Sequence, residues 1–163
     1  LVLAGPIHTE ERLRALCEVC YPGLISTLLN FDLIFTEWQL QAQQIISDRE
    51  VTSIPALHDP HTFPTSLRIK SQHSTICFSG DTGWQEDLVK LCEDSDAFVM
   101  ECSYPKALFS GHIGLDEIER YRSKLRTKKL ILTHFGSQAR AEAILKESEF
   151  DFEVADDGKA WIL

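Results

Sequence analysis

Thr75-Ile76-Cys77-Phe78-Ser79-Gly80-Asp81-Thr82-Gly83-Trp84 is a short apolar run that stops at a glycine and hands one carboxylate, Asp81, to a turn. Gly80 and Gly83 bracket that carboxylate, so the backbone can bend sharply and a bulky group can approach it closely. Thr75–Ser79 reads as a strand and Trp84–Cys92 as a helix. A strand, a turn bearing a carboxylate and then a helix is the layout in which open α/β sheets bind ligands, outside the carboxyl end of a strand.

Working upstream, Ser66–Lys70 reads as a strand that turns at Gln72-His73 into Thr75–Ser79, a hairpin. Glu50–Leu57 is another strand, ending in the aperiodic stretch His58 to Thr65. Ile45-Ile46 is a short strand, and Phe31–Trp38 alternates apolar and polar positions as a strand does. Thr9 can cap a helix running to about Cys20, with Leu13, Leu16 and Cys20 as its buried stripe and Glu10 and Glu11 at its positive end. Leu1–Ala4 is a strand closed by Gly5-Pro6. Downstream, Asp96–Cys102 is a buried strand with a carboxylate, Glu101, near its end. A loop from Ser103 to Gly114 contains His112, and Leu115–Leu125 has the helical spacing of one apolar face. Lys129–Thr133 is a strand running into His134. Ser137 can cap a helix over Ala139–Lys146, and Phe152–Val154 with Ala160–Leu163 reads as two last strands. Strands alternate with helices, so the fold class is α/β.

The chain has 163 residues, 44% hydrophobic and 25% charged, as expected of one domain with a sizeable core. Its longest apolar runs are strand-length, so no membrane span is expected. A net charge of −9 repels phosphate backbones and weighs against long nucleic acid, while leaving room for a local basic groove. Cys77 and Cys102 fall on core strands, and Cys17-Glu18-Val19-Cys20 is a CxxC with no second pair to complete a zinc site. Five cysteines, an odd number in apolar surroundings, point to a reducing, cytoplasmic location. The opening Leu1-Val2-Leu3-Ala4 reads as mid-sheet, which suggests the later portion of a longer protein.

Three residues share one topological description. His58, Asp81 and His134 each sit just past the carboxyl end of an apolar strand, where a rigid scaffold can aim ligating side chains. Imidazole and carboxylate suit zinc, iron or manganese, and a carboxylate with two oxygens can bridge a pair of ions. A histidine after a strand is also commonly a solvated loop residue, and spacing alone leaves both readings open. His61 lies in the same loop as His58 and competes with it. His8, His61 and His73 otherwise default to the surface.

These blocks resemble a known family. Ser79-Gly80-Asp81-Thr82-Gly83-Trp84, Asp96 through Cys102, the loop His112 and Leu132-Thr133-His134-Phe135-Gly136 are similar to the metallo-β-lactamase-fold hydrolases, most of all the ribonuclease Z-like branch. Ala4-Gly5-Pro6, the His58-to-Arg68 segment and Asp157-Gly158 fit the same pattern, so the resemblance covers nearly the whole chain. It implies an αββα sandwich, here mainly its second half. It also implies two zinc ions in the intact protein, with manganese or iron as alternatives. His58 would complete the first metal site, Asp81 would bridge, and His134 would serve the second metal. His112 would contact the scissile phosphate and donate a proton to the leaving group. Its Gly111-His112-Ile113-Gly114 surroundings differ from the commoner contexts. Glu101 would orient a ligand histidine from behind it or, equally, cap a loop at the surface.

The family's HxHxDH signature, three His and one Asp, does not occur here; in the family it lies upstream of the strand matching Leu1–Ala4. A zinc ion takes about four ligands, so three groups shared between two metals hold them weakly. The expectation is a phosphodiester hydrolase when intact, with this chain alone inactive. Thioester or lactone hydrolysis is the alternative chemistry. The alternative of another class is a truncated or degenerate domain with a structural role, pairing through an exposed sheet edge. The substrate expected is a small or cyclic phosphodiester. A homo-oligomer, or a separate chain supplying the first half, is compatible with the sequence.

Overall fold

The computed structural model of the chain describes residues 1–27 and 29–163. Strand β1 (Val2–Gly5) pairs in parallel with β2 (Ile34–Glu37), Val2 opposite Ile34, and helix α1 (Thr9–Cys20) connects them. A separate seven-stranded sheet follows in strict chain order: β3 (Gln43–Ile46), β4 (Arg49–Pro55), β5 (Thr65–Lys70), β6 (Thr75–Phe78), β7 (Ser95–Glu101), β8 (Thr127–Thr133) and β9 (Glu153–Val154). The first four strands run antiparallel, and the β5–β6 hairpin pairs Lys70 with Thr75 as expected. From β6 onward the pairing is parallel, with α2 (Asp87–Leu91), α3 (Leu115–Tyr121) and α4 (Ser137–Phe150) in the successive connections. The reason is geometric: a tight turn reverses the chain, whereas a parallel return needs a crossover.

Side chains alternate across a strand, and the core follows that period. Phe98, Met100 and Cys102 of β7 and its exit, Leu130 and Leu132 of β8, and Phe152 and Val154 at β9 are all buried. They form one cluster with Leu88 and Leu91 of α2, Leu115 and Ile118 of α3, and Ala143 of α4. This places the helices on one face of the parallel strands. None of the described helices is long and apolar enough to cross a membrane.

Four expectations are corrected. The helix read over Trp84–Cys92 is only Asp87–Leu91, since the turn leading into it closes with the tighter i→i+3 bonds, the Leu88 N–H on the Gln85 carbonyl and the Val89 N–H on the Glu86 carbonyl. The α1 stripe of Leu13, Leu16 and Cys20 is not buried. Leu13 and Cys17 are half-covered, whereas Leu16 is 57% exposed and Cys20 lies at the surface. Neither predicted cap holds. Thr9 lies inside α1 with its hydroxyl on the Pro6 carbonyl, and α4 starts at Ser137 behind Gly136 and runs on to Phe150. Finally, Ala160–Leu163 forms no strand; Trp161 instead donates its indole N–H to Glu153 at 2.8 Å.

Candidate functional site

Ser79 extends β6 by donating its N–H to the Val99 carbonyl at 2.9 Å. Gly80 then turns the chain with φ +60, the left-handed region, and a Cβ there would stand 2.9 Å from the Thr65 carbonyl oxygen. Both facts demand glycine. Beyond Asp81 the turn is clamped on two sides. The Thr82 N–H donates to Glu101 Oε1 at 2.6 Å, at the end of β7. The Thr82 hydroxyl accepts from the Leu57 N–H at 2.9 Å, and the Gly83 N–H donates to the Leu57 carbonyl at 2.8 Å. Leu57 immediately precedes His58, so these bonds carry His58 to the Asp81 turn.

His134 leaves β8 with φ 57. A non-glycine residue in that region is held there by its surroundings. Here the neighbouring Gly136 N–H donates to the Ser103 carbonyl at 3.0 Å, and the Ser103 hydroxyl stands 3.3 Å from the His134 carbonyl. The ring is thereby presented to Asp81, with His134 Nε2 3.6 Å from Asp81 Oδ1 and both side chains about half exposed. Two donors about 2.1 Å from a tetrahedral zinc ion lie roughly 3.4 Å apart, so this pair has the spacing and chemistry of neighbouring ligands.

His112 stands between the other two histidines. Its ring meets His58 edge-on at 5.0 Å between centroids and stacks on His134 at 5.7 Å. Its Nδ1 lies 3.0 and 3.2 Å from the two oxygens of Glu101 and 3.3 Å from the Ser103 hydroxyl. Glu101 is only 2% exposed. It also receives the Ser103 hydroxyl at 2.7 Å and the Ile113 N–H at 3.3 Å, so a buried carboxylate is satisfied by donors from three segments. With Nδ1 hydrogen-bonded to a carboxylate, Nε2 is the imidazole nitrogen left free to act.

His58, Asp81, His112, His134 and Glu101 thus occupy one face at the carboxyl ends of β4, β6, β7 and β8. His61 points elsewhere and lies exposed in a 3-10 turn over Pro60–Thr62, its N–H on Asp59 and its carbonyl taking the Arg12 guanidinium. Among the described residues no three His, Cys, Asp or Glu side chains converge tightly enough to hold a metal ion by themselves. The donor chemistry of His58, Asp81 and His134, two imidazoles and a carboxylate, suits a metal ion. Sequence reasoning passed over Ser103 and Thr82. Ser103 lies two residues past Glu101, and that spacing returns a side chain to the same face of an extended strand. Cys102 beside them takes no part: burial first, then the charge of Glu101, pushes its thiol up to about 12, and it packs as a core residue.

With that geometry in view, residues 14–135 match the beta-lactamase superfamily domain. The chain belongs to that superfamily. It is 27% identical over 156 residues to an uncharacterized protein of Mycobacterium tuberculosis, covering 93% of this chain and 56% of that protein. Over 87 residues it is 34% identical to the ribonuclease Z of Methanothermobacter thermautotrophicus, covering 50% of this chain and 28% of that enzyme. The structure of the metallo-beta-lactamase fold protein YhfI from Bacillus subtilis superposes with a TM-score of 0.72 at 19% identity, covering 99% of this chain and 63% of that one. The expected metallo-β-lactamase fold, with ribonuclease Z-like relatives, therefore stands. The chain spans little more than half of the mycobacterial relative's length.

Proposed function

We propose that this beta-lactamase superfamily chain contributes one side of the metal centre of a phosphodiester hydrolase, with His58, Asp81 and His134 as ligands. The observation that carries the reading is the 3.6 Å approach of His134 Nε2 to Asp81 Oδ1, flanked by the His58–His112–His134 row of rings. Zinc is the ion the donors suit best, with manganese or iron next. Bound there, it would supply Lewis acidity and a water nucleophile ionised near neutral pH. Asp81 has a second oxygen and so can serve two ions. His112 acts as general acid: Glu101 and Ser103 hold its Nδ1, which fixes the ring and leaves Nε2 to hand a proton to the departing oxygen. Glu101 is a positioning residue for His112. The ribonuclease Z relative supports phosphodiester chemistry, and the −9 charge favours a small diester over a long polyanion.

The test is hydrolysis of bis-p-nitrophenyl phosphate against a thioester panel by the full-length protein. Phosphodiester turnover is expected, abolished in Asp81→Ala and lowered about 10–100-fold in Glu101→Gln, as for other groups that orient a metal site's side chains. Turnover of thioesters alone would overturn the reading. The isolated chain is expected to bind metal weakly and to be inactive, and two tightly held ions per chain in metal analysis would contradict that.

A further inference from the structure

A hollow of ≈ 300 Å³ opens beside the site, lined by Ser103, Tyr104, His112, His134, Phe135 and Gly136. It borders both His112, the proposed acid, and His134, a proposed ligand. Two neighbouring hollows do not. The one beside Leu57 and Trp84 borders His112 without His134, and the one beside Phe78 and Val99 borders His134 without His112. The distinction matters because of how hydrolysis divides a diester. A water oxygen bonds to phosphorus and gives up a proton to solvent, the bond from phosphorus to the leaving oxygen breaks, and the Nε2 proton of His112 goes to that oxygen. The leaving oxygen must come within reach of His112 while phosphorus stays over Asp81 and His134. The group attached to it therefore extends into space that both rings border.

Tyr104 is firmly seated in that wall. Its carbonyl accepts the Leu115 N–H at 2.8 Å, and it forms a parallel bridge with Gly114 just before α3, which closes the neck of the 103–114 loop. Its ring meets His112 edge-on at 6.0 Å between centroids and tilts against Phe109 at 5.6 Å. Phe135, the other aromatic wall, packs partly against the core cluster. Tyr104 is half-buried and Phe109 is 62% exposed, so aromatic surface is left open next to the acid. Among the described residues no Asp, Glu, Lys or Arg lines the hollow, whereas Glu117 lines one neighbouring hollow and Asp81 and Glu101 the other. Flat side chains held in fixed positions, with no charged neighbour, suit a flat uncharged ring.

We propose that Tyr104 selects the leaving group: the departing alcohol of the diester carries an uncharged aromatic ring, which stacks on Tyr104 in this hollow. The assignment rests on the metal-centre reading of His58, Asp81 and His134 and names the class of substrate for it. Tyr104 and His112 belong to one closed loop, so the residue that reads the leaving group and the residue that protonates it are positioned together.

The experiment titrates benzyl alcohol, a neutral aromatic alcohol of the kind released, into the full-length, metal-stripped protein while following the histidine ring C–H resonances, with those of His112 assigned by their loss in His112→Gln. A saturable shift at His112 is expected, with cyclohexylmethanol, which lacks the π face, binding about twofold to tenfold more weakly. The charged analogue 4-(hydroxymethyl)benzoate should bind about tenfold more weakly than benzyl alcohol, since no cation lines the hollow to receive it. Tyr104→Leu should erase the preference for benzyl alcohol over cyclohexylmethanol, and Tyr104→Phe should keep it. A Tyr104 with a structural role alone would lower the melting temperature in Tyr104→Leu and leave the preference intact. Asp81→Ala should lose hydrolysis yet keep the shift and the preference, so the two readings fail separately. No shift at His112, equal affinity for the two neutral alcohols, a charged analogue bound as well as benzyl alcohol, or a preference that survives in Tyr104→Leu overturns the proposal.

Discussion

Strand β7 and helix α1 carry apolar residues at the period proper to each, yet they end in opposite states. Phe98 and Met100 of β7 are 0% exposed, while α1 contains no buried residue and Val19 is 82% exposed. The difference lies in what faces each element. β7 lies between β6 and β8 with helices across its apolar face, whereas α1 packs chiefly on the two-stranded sheet. Periodicity predicts which element forms; burial needs a second layer to receive it.

The largest effect expected from this contrast is in the core. Phe98→Ala should lose about 3–5 kcal/mol of stability in urea unfolding, the cost of lost burial plus an unfilled cavity. Leu16→Ala on α1 should stay within about 0.5 kcal/mol, as for other exposed positions. A loss above about 2 kcal/mol at Leu16 would show α1 to be covered in solution and would break the comparison.

Within the packed half, two glycines sharpen it. A Cβ on Gly83 would stand 1.9 Å from the Ser110 carbonyl oxygen, a backbone atom that cannot swing aside. Gly83→Ala should cost about 1–3 kcal/mol, as overpacking does. At Gly111 the nearest atom to a new Cβ is His58 Cδ2 at 3.6 Å, ordinary contact, so Gly111→Ala should stay within about 0.5 kcal/mol. Equal losses in thermal melts would mean that the Thr82–Trp84 turn does not press on the 105–112 loop.

The smallest effect at neutral pH separates the thiols. Cys92 and Cys102 are pushed up to about 12 by burial, and Cys77 is raised for the same first cause. A dithionitrobenzoate assay at pH 8 should therefore titrate Cys17 and Cys20 of α1 quickly and the other three only after unfolding. The sign of the linkage follows. The native state keeps protons that the unfolded thiols release above their ordinary 9.0, so the raised values stabilise fully below about pH 9. That contribution is lost as pH rises toward 12. Five fast thiols in the native protein would contradict the buried core.

Much of this was legible in the chain. The strands from β4 to β8 follow runs that stop abruptly, and those stops put His58, Asp81 and His134 at one end of a sheet. The shortened α2 was not legible. Local spacing favours a helix from Trp84, but the chain there follows the Asp81 turn, which is clamped to Glu101 and Leu57, and enters α2 through i→i+3 bonds from Leu88 to Gln85 and from Val89 to Glu86. The α1 stripe failed for the related reason that periodicity does not say whether a partner layer exists. His58 and its competitor His61 part company because Leu57 is bonded to the Asp81 turn while His61 is engaged by Asp59 and Arg12.

By itself the sequence determined the α/β class, the strand ends and the glycine-bracketed carboxylate, because each depends on near neighbours: alternation, a positive φ, an apolar run that stops. Only the tertiary structure decided that Glu101 holds His112. A carboxylate 2% exposed must gather donors, and it finds them in Thr82, Ser103, His112 and Ile113. No local pattern specifies that set, since it forms only when two strand ends and a loop meet.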